Sequence, residues 1–100
     1  MSSGDSFRLD SSVPDTVAVS GTLSFVTAAA ALAELNTALG QGSRRQLDLA
    51  AVQACDSAGL ACVLAALAEA AGRGRSVRVL NAPAGLRALA QVSGVAPLLG

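Results

Sequence analysis

The sequence predicts an α/β fold in which a mixed, mostly parallel β-sheet of about four strands is packed by three or more α-helices. Two observations favour it. Apolar residues make up 52% of the 100 residues, too many for a disordered chain. After residue 22, segments with a helical hydrophobic period alternate with short apolar runs, and this alternation is typical of parallel strands joined by helices.

The first two strands are predicted to pair antiparallel. The stretches SFRLD (6–10) and TVAVSG (16–21) both alternate apolar and polar residues, which is the period of a strand. Pro14 and Asp15 lie between them and favour a turn. Gly21 is expected to end the second strand.

The first helix is expected to begin at Ser24 or Thr27 and to stop at Gly40 or Gly42, because glycine commonly follows a helix end. Its apolar stripe has three- and four-residue spacing. The members of this stripe are Leu32, Leu35 and Leu39.

The remaining elements follow in alternation. QLDLAAV (46–52) is predicted to be a buried strand, and a second helix is expected over 57–71. SVRVL (76–80) predicts another strand, and a third helix is expected within 81–94, with Gly94 at its end. VAPLL (95–99) predicts a short strand or an apolar tail. The order is therefore β-β-α-β-α-β-α, with an optional last strand.

Asp56 and Ser57 fall between the strand 46–52 and the second helix. Either side chain could accept hydrogen bonds from the free N–H groups at the helix start. Ligands and partners of parallel sheets meet the carboxyl ends of strands. The pair is therefore a candidate contact point as well as a candidate helix cap.

The second helix predicts two contrasting faces when it is placed on a wheel of 100° per residue. The face expected to pack on the sheet holds Leu60, Val63, Leu64, Leu67 and Ala71. The face expected to point outward holds Ala58, Ala61, Cys62, Ala65 and Glu69. Since a solvent-exposed face is normally charged, an outer face of small residues favours close approach by another protein.

Composition argues against several functions. The chain has no His and no Lys, so Ser57 lacks an adjacent base and is a poor nucleophile. Seven Arg balance seven acids, which gives no drive toward nucleic acid. Cys55 and Cys62 lack the spacing and the histidines of a zinc site. Arg73, Arg75 and Arg78 form a small basic patch, interpreted as a solvated helix end. No catalytic residue, metal or cofactor is therefore expected.

The stretch LDLAAVQACDSAGLACVLAALAEAAGRGRSVRVLNAP resembles the STAS domain family, which includes anti-sigma factor antagonists and the tails of sulfate transporters. The matching features are the LDL strand, DSAGL at a helix start, the Gly-Arg-Gly break and VRVLNAP. GTLSF before the first helix and LRALAQVSGVAPLL also match. The resemblance covers residues 13–100, and GTLSF with the Ala-rich helices is most similar to the MlaB-like branch.

The resemblance implies a STAS fold and a non-enzymatic binding module. In the MlaB-like branch, the domain would bind the cytoplasmic ATPase of a phospholipid (lipid asymmetry) ABC transporter and support its assembly and activity. The expected contact residues are Asp56, Ser57, Ala58, Ala61, Cys62 and Ala65. In the alternative branch, Ser57 would be phosphorylated by an anti-sigma factor kinase, and the protein would be an anti-sigma factor antagonist. Neighbouring genes would discriminate between the two.

The chain is expected to be one domain over residues 1–100, with its core in 13–100 and with residues 1–5 disordered. The N-terminal segment is polar and carries acids, unlike a signal peptide. The longest apolar stretch, 58–68, is shorter than the roughly 20 residues that cross a bilayer. We therefore expect a cytoplasmic protein without direct membrane insertion, peripheral at the inner membrane through a transporter complex.

Overall fold

A four-stranded sheet organises the structure, a computed structural model that describes residues 6–41 and 44–99. The strands are β1 (Phe7–Asp10), β2 (Thr16–Leu23), β3 (Gln46–Cys55) and β4 (Arg78–Leu80), and they lie side by side in that order. β1 runs antiparallel to β2, whereas β2, β3 and β4 are parallel. The predicted fold class is confirmed. The predicted disorder of residues 1–5 lies outside the described residues.

Within the described residues, three helices connect or follow the parallel strands. They are α1 (Ala28–Leu39), α2 (Ser57–Gly72) and α3 (Ala84–Val92). The C-terminal segment forms a 3-10 turn, Ala96–Leu99, rather than the short strand or plain tail expected there. No helix within 6–41 and 44–99 combines the length and apolarity needed to span a bilayer.

β2 does not end at Gly21 as expected, but continues to Leu23. Gly21 has a φ of 94°, a conformation that glycine adopts without steric cost. A Cβ at this position would collide with the backbone oxygen of Ser6. The pairing with β3 shifts register at Gly21/Thr22, so glycine produces an irregularity here instead of a strand end. β3 likewise runs to Cys55, beyond the predicted end at 52.

The core lies between one face of the sheet and the helices. Alternate residues of β2 and β3 supply the sheet side: Val17, Val19, Leu23, Leu47 and Leu49 are fully buried. From α1, Leu35 and Leu39 of the predicted stripe are buried, whereas Leu32 is half-buried. α3 contributes Leu86, and the 3-10 turn contributes Leu99. The period-2 and 3.6-residue patterns therefore meet in a single core.

The buried face of α2 differs from the predicted one. Its buried residues are Gly59, Leu60, Cys62, Val63, Ala66 and Ala70. On the helical wheel this face is rotated by roughly 80° from the predicted centre. Ala71, expected inward, is exposed, and Leu64 and Leu67 are only half-buried. The expected outward position of Cys62 is wrong, because that residue is 4% exposed.

The rotation has a packing cause. α1 runs beside α2, and Asn36 and Leu39 of α1 line the same narrow gap as Ala66 and Ala70 of α2. Small residues on that side of α2 let the two helices approach closely, and close packing then buries them. A helical wheel that places the largest apolar residues inward predicts instead that the leucines of α2 face the core.

Gly59 marks a second close approach, between the start of α2 and the end of β2. A Cβ at Gly59 would collide with the backbone oxygen of Leu23 and lie 2.7 Å from its carbonyl carbon. Backbone cannot move aside cheaply, so we expect Gly59→Ala to destabilise the protein by about 1–3 kcal/mol, as overpacking does. The measurement is the free energy of unfolding in denaturant.

Gly85→Ala is the matched control. Gly85 lies in α3, and a Cβ there would meet no atom within 4 Å. This variant should gain about 0.4–1 kcal/mol, because alanine reduces the freedom of the unfolded chain. Equal effects of the two substitutions would contradict the close approach at Gly59.

Candidate partner-binding site

The start of α2 is fixed by the side chain of Asp56. Asp56 has an extended backbone conformation (φ −122°, ψ −172°) and is the N-cap of the helix. Its Oδ1 accepts a hydrogen bond of 3.0 Å from the backbone N–H of Gly59. This bond satisfies one of the N–H groups that a helix start leaves unpaired. Of the two capping candidates in the sequence, the structure selects Asp56 and leaves Ser57 at the first helical position.

The same carboxylate reaches across to the loop between β2 and α1. Oδ2 of Asp56 accepts a 3.0 Å hydrogen bond from the backbone N–H of Phe25. The backbone N–H of Asp56 donates to the carbonyl oxygen of Leu23 at 3.2 Å. Two segments 31 residues apart are thereby joined at the carboxyl edge of the sheet.

These hydrogen bonds favour the ionised carboxylate. The N–H of Phe25, followed by that of Gly59, lowers the pKa of Asp56 below its usual value of 3.8, and desolvation acts in the opposite direction. A carboxylate that accepts backbone N–H bonds is held in its charged form. Asp56 is therefore charged at neutral pH and acts through both oxygens.

The loop that Asp56 holds presents two large apolar side chains. Phe25 is 83% exposed and Val26 is 68% exposed. The loop is shaped from within by Thr27, whose hydroxyl donates to the carbonyl oxygen of Thr22 at 2.9 Å and accepts from the N–H of Ser24 at 2.9 Å. Thr27 itself is 5% exposed. A buried polar anchor therefore supports an exposed apolar tip.

Five of the six predicted contact residues lie at the surface. Asp56, Ser57, Ala61 and Ala65 are exposed, and Ala58 is half-buried. Cys62 is the exception, since it faces the core. Phe25 and Val26 are not among the predicted contact residues, although Phe25 belongs to the GTLSF stretch that matches the family. Both residues follow β2, which is parallel to β3 and lies beside it. The carboxyl ends of neighbouring parallel strands lie at the same edge of the sheet, so the predicted topology already indicated that residues following β2 lie near Asp56.

The two thiols are poorly suited to reactivity. Desolvation raises the pKa of Cys62, and it also raises the pKa of Cys55, helped there by the negative charge of Asp56. A raised pKa reduces the thiolate, which is the reactive form of cysteine. Among residues 6–41 and 44–99, no cluster of acidic, cysteine or histidine side chains is placed to hold a metal ion. The arrangement therefore offers a contact surface: an apolar tip, small helix residues and an exposed hydroxyl.

Comparison with known proteins gives consistent matches. The family model described as "Mlab, STAS domain" matches residues 8–100. The anti-sigma factor antagonist SpoIIAA in its unphosphorylated form is 25% identical, with a TM-score of 0.69, and the match covers 93% of this chain and 84% of that chain. The Bacillus cell fate determinant SpoIIAA in the phosphorylated form is also 25% identical, with a TM-score of 0.66 and 93% and 87% coverage. No curated protein gives a significant match.

Asp56→Asn separates the two roles of the carboxylate. An asparagine Oδ1 still accepts from the N–H of Gly59, but its amide nitrogen cannot accept from the N–H of Phe25. We expect amide hydrogen exchange to quicken at Phe25 and to stay slow at Gly59, whereas Asp56→Ala should quicken both.

The advantage of wild type over Asp56→Asn should depend on pH. Because the folded state lowers the pKa of Asp56, its contribution is fully present above the ordinary value of about 3.8 and is lost as pH falls through the lowered pKa. The difference in Tm should therefore be constant near neutrality and should vanish in acid. A difference that persisted in acid would contradict a role for the charge.

Proposed function

This chain belongs to the STAS domain family described as Mlab, and on that premise we propose that it is a non-enzymatic subunit that binds the ATPase of a phospholipid-transport ABC transporter. In this role it supports the assembly and activity of the transporter as a single cytoplasmic domain, peripheral at the inner membrane through the complex. The observation that carries the proposal is an exposed, nearly uncharged surface at the carboxyl edge of the sheet.

We call this surface the contact face. It consists of Phe25, Val26, Asp56, Ser57, Ala58, Ala61 and Ala65. Aromatic residues, phenylalanine among them, are enriched in protein interfaces, where few side chains supply most of the binding energy. Asp56 is the one charged member, and both of its oxygens accept backbone N–H bonds. Apart from Asp56 and the hydroxyl of Ser57, the side chains that a partner would cover are apolar, so their desolvation favours binding.

The small residues of α2 determine how a partner would approach. Ser57, Ala61 and Ala65 recur every four residues along the exposed side of α2, so they form one row on the helix. Short side chains allow another helix or loop to pack near the α2 backbone. Phe25 stands beside the first turn of that row, and it supplies the large apolar side chain that the row lacks.

A second candidate function uses the same face. As an anti-sigma factor antagonist, the chain would bind an anti-sigma factor kinase and be phosphorylated on Ser57. Two observations favour it: Ser57 is exposed at the first position of α2, and the similar SpoIIAA has been solved in unphosphorylated and phosphorylated forms. A phosphate adds about −1.5 to −2 charges, enough to disrupt a close uncharged contact. Incubation with the kinase and mass spectrometry of Ser57 distinguish the two functions.

Ser57→Glu should weaken binding of the transporter ATPase at least about tenfold, or about 1.4 kcal/mol. The longer, charged side chain would stand in a contact lined by Ala58 and Ala61. The fold should persist, because a negative group is favourable near a helix N-terminus. Co-purification and titration with the ATPase, together with thermal melts, measure both effects.

Ser57→Ala is the control for this experiment. Ser57 is not the cap of α2, so its removal should change stability by less than about 0.5 kcal/mol and should leave ATPase binding near the wild-type level. If Ser57→Glu bound the ATPase as well as wild type did, Ser57 would have to be removed from the contact face.

Phe25→Ala tests the apolar tip of the contact face. Because Phe25 is 83% exposed, its truncation should hardly change the Tm, yet it should reduce ATPase affinity by about 2 kcal/mol if the residue is an interface anchor. Val92→Ala truncates another apolar side chain, 89% exposed on α3, and should bind normally. Equal losses from both variants would indicate a non-specific apolar contact.

A further inference from the structure

Four arginines line one open cleft at the amino ends of β3 and β4. They are Arg44, Arg45, Arg75 and Arg78, and the cleft has a volume of about 680 Å³. This volume lies within the range of small-molecule sites, but the lining is strongly basic rather than apolar. Only two of these four belonged to the basic patch of the sequence. The third member of that patch, Arg73, instead pairs with Glu69 at 3.1 Å.

Strand pairing brings three of the arginines together. Gln46, the first residue of β3, is in register with Arg78 of β4, and the backbone N–H of Arg78 donates to the carbonyl oxygen of Arg45 at 2.7 Å. Arg44 and Arg45 directly precede β3. Arg78 therefore lies beside Arg44 and Arg45, more than 30 positions earlier in the chain, because two parallel strands begin at the same edge of the sheet.

The fourth arginine, Arg75, follows the end of α2. The N–H groups of Gly74 and Arg75 donate to the carbonyl oxygens of Ala71 and Ala70 at 3.0 and 2.9 Å, which is the Schellman pattern of helix termination. Gly74 has the positive φ, 79°, that this pattern requires. The chain turns there, and Arg75 enters the wall of the cleft.

Backbone contacts hold two of the guanidinium groups in place. Nη1 of Arg44 donates to the carbonyl oxygens of Val13 and Thr16 at 3.0 and 3.3 Å, and Nη2 of Arg75 donates to that of Gly40 at 3.3 Å. A guanidinium has five N–H donors, and the bonds of Arg44 use only part of that capacity. These two long side chains are therefore already ordered in the folded protein, so ligand binding would not carry the entropic cost of ordering them.

Two of the arginines in the cleft have no acidic partner among the described residues. No aspartate or glutamate is among its lining residues; the neutral ones are Gln46, Gly74 and Ser76. Arg45 and Arg78 are exposed and form no ion pair with any described residue. Four like charges around one cavity repel one another, and a multivalent anion would relieve that repulsion. The planar guanidinium fork matches phosphate oxygens in particular.

We propose that this cleft is a binding site for a phosphate-bearing anion. The ligand is either a free phosphate compound of small-molecule size or the phosphate of an anionic lipid headgroup, since both present the same group to the arginines. Gln46 and Ser76 supply neutral hydrogen-bonding groups beside the charges. Gly74 leaves that part of the wall open, because a Cβ there would meet nothing within 4 Å.

The cleft is independent of the contact face. The two lie at opposite ends of β3, whose 10 residues span about 30 Å in extended conformation. Changes to the cleft should therefore leave ATPase binding unaltered. Failure of the anion site would not weaken the proposed function, and failure of ATPase binding would not weaken the anion site.

Pyrophosphate binding to the full chain tests the site, by calorimetry at fixed ionic strength in chloride. Wild type should bind saturably, and the double variant Arg45→Gln/Arg78→Gln should bind at least about tenfold more weakly. Arg8→Gln/Arg87→Gln is the matched control, because it also removes two positive charges, but from exposed residues outside the cleft. This variant should bind pyrophosphate as wild type does. Thermal melts without ligand verify that all three proteins fold.

Vesicle flotation distinguishes the two sources of phosphate. Vesicles of phosphatidylcholine with phosphatidylglycerol are compared with vesicles of phosphatidylcholine alone. Binding to the anionic vesicles that is lost in the Arg45→Gln/Arg78→Gln variant and displaced by pyrophosphate identifies the headgroup. Pyrophosphate binding without vesicle binding identifies a free phosphate compound. The proposal is overturned if wild type binds neither probe, or if the control double variant loses as much affinity as the cleft variant does.

Discussion

The double hydrogen bonding of Asp56 is the interaction on which the carboxyl edge of the sheet depends. One oxygen caps α2 through the N–H of Gly59, and the other holds the β2–α1 loop through the N–H of Phe25. A neutral acceptor with one oxygen could serve only one of these segments. The ionised carboxylate serves both, and its bonds are stronger because the acceptor is charged. This side chain, together with the bond from the backbone N–H of Asp56 to Leu23, therefore holds the apolar tip beside the small-residue row.

Gly59 makes this arrangement sterically possible. The first turn of α2 passes so close to the end of β2 that a single methyl group would collide with the backbone of Leu23. The residues of the motif Asp-Ser-x-Gly-Leu thus have separate structural roles. Asp56 joins the segments, Gly59 permits their approach, and Leu60 is buried in the core at 3% exposure. Ser57 takes no part in this support, which leaves its hydroxyl available to a partner or a kinase.

The two ends of the sheet have opposite character. The carboxyl edge is nearly uncharged apart from Asp56, whereas the amino edge carries four arginines around one cleft. The formal net charge of zero therefore conceals a strongly positive local region. The net charge influences solubility and non-specific binding, whereas a local site depends on which charged residues the fold brings together. The proposed anion site and the proposed partner site can accordingly coexist in one small domain.

The sequence by itself determined the order of the elements, the α/β class, the two candidates for the cap of α2 and the exposure of Ser57, Ala61 and Ala65. These properties depend on periodicity and on residue types within a few positions of one another, which local patterns record. Only the tertiary structure decided that Cys62 is buried, that Gly21 lies inside β2 and that Phe25 stands beside Asp56. It also decided that Arg44 and Arg45 join Arg75 and Arg78. In each case the cause is a contact between distant segments: α1 packs against the small side of α2, Ser6 lies against Gly21, and parallel strands align their ends. Such contacts are set by register and by close packing, and no local pattern in the chain encodes either.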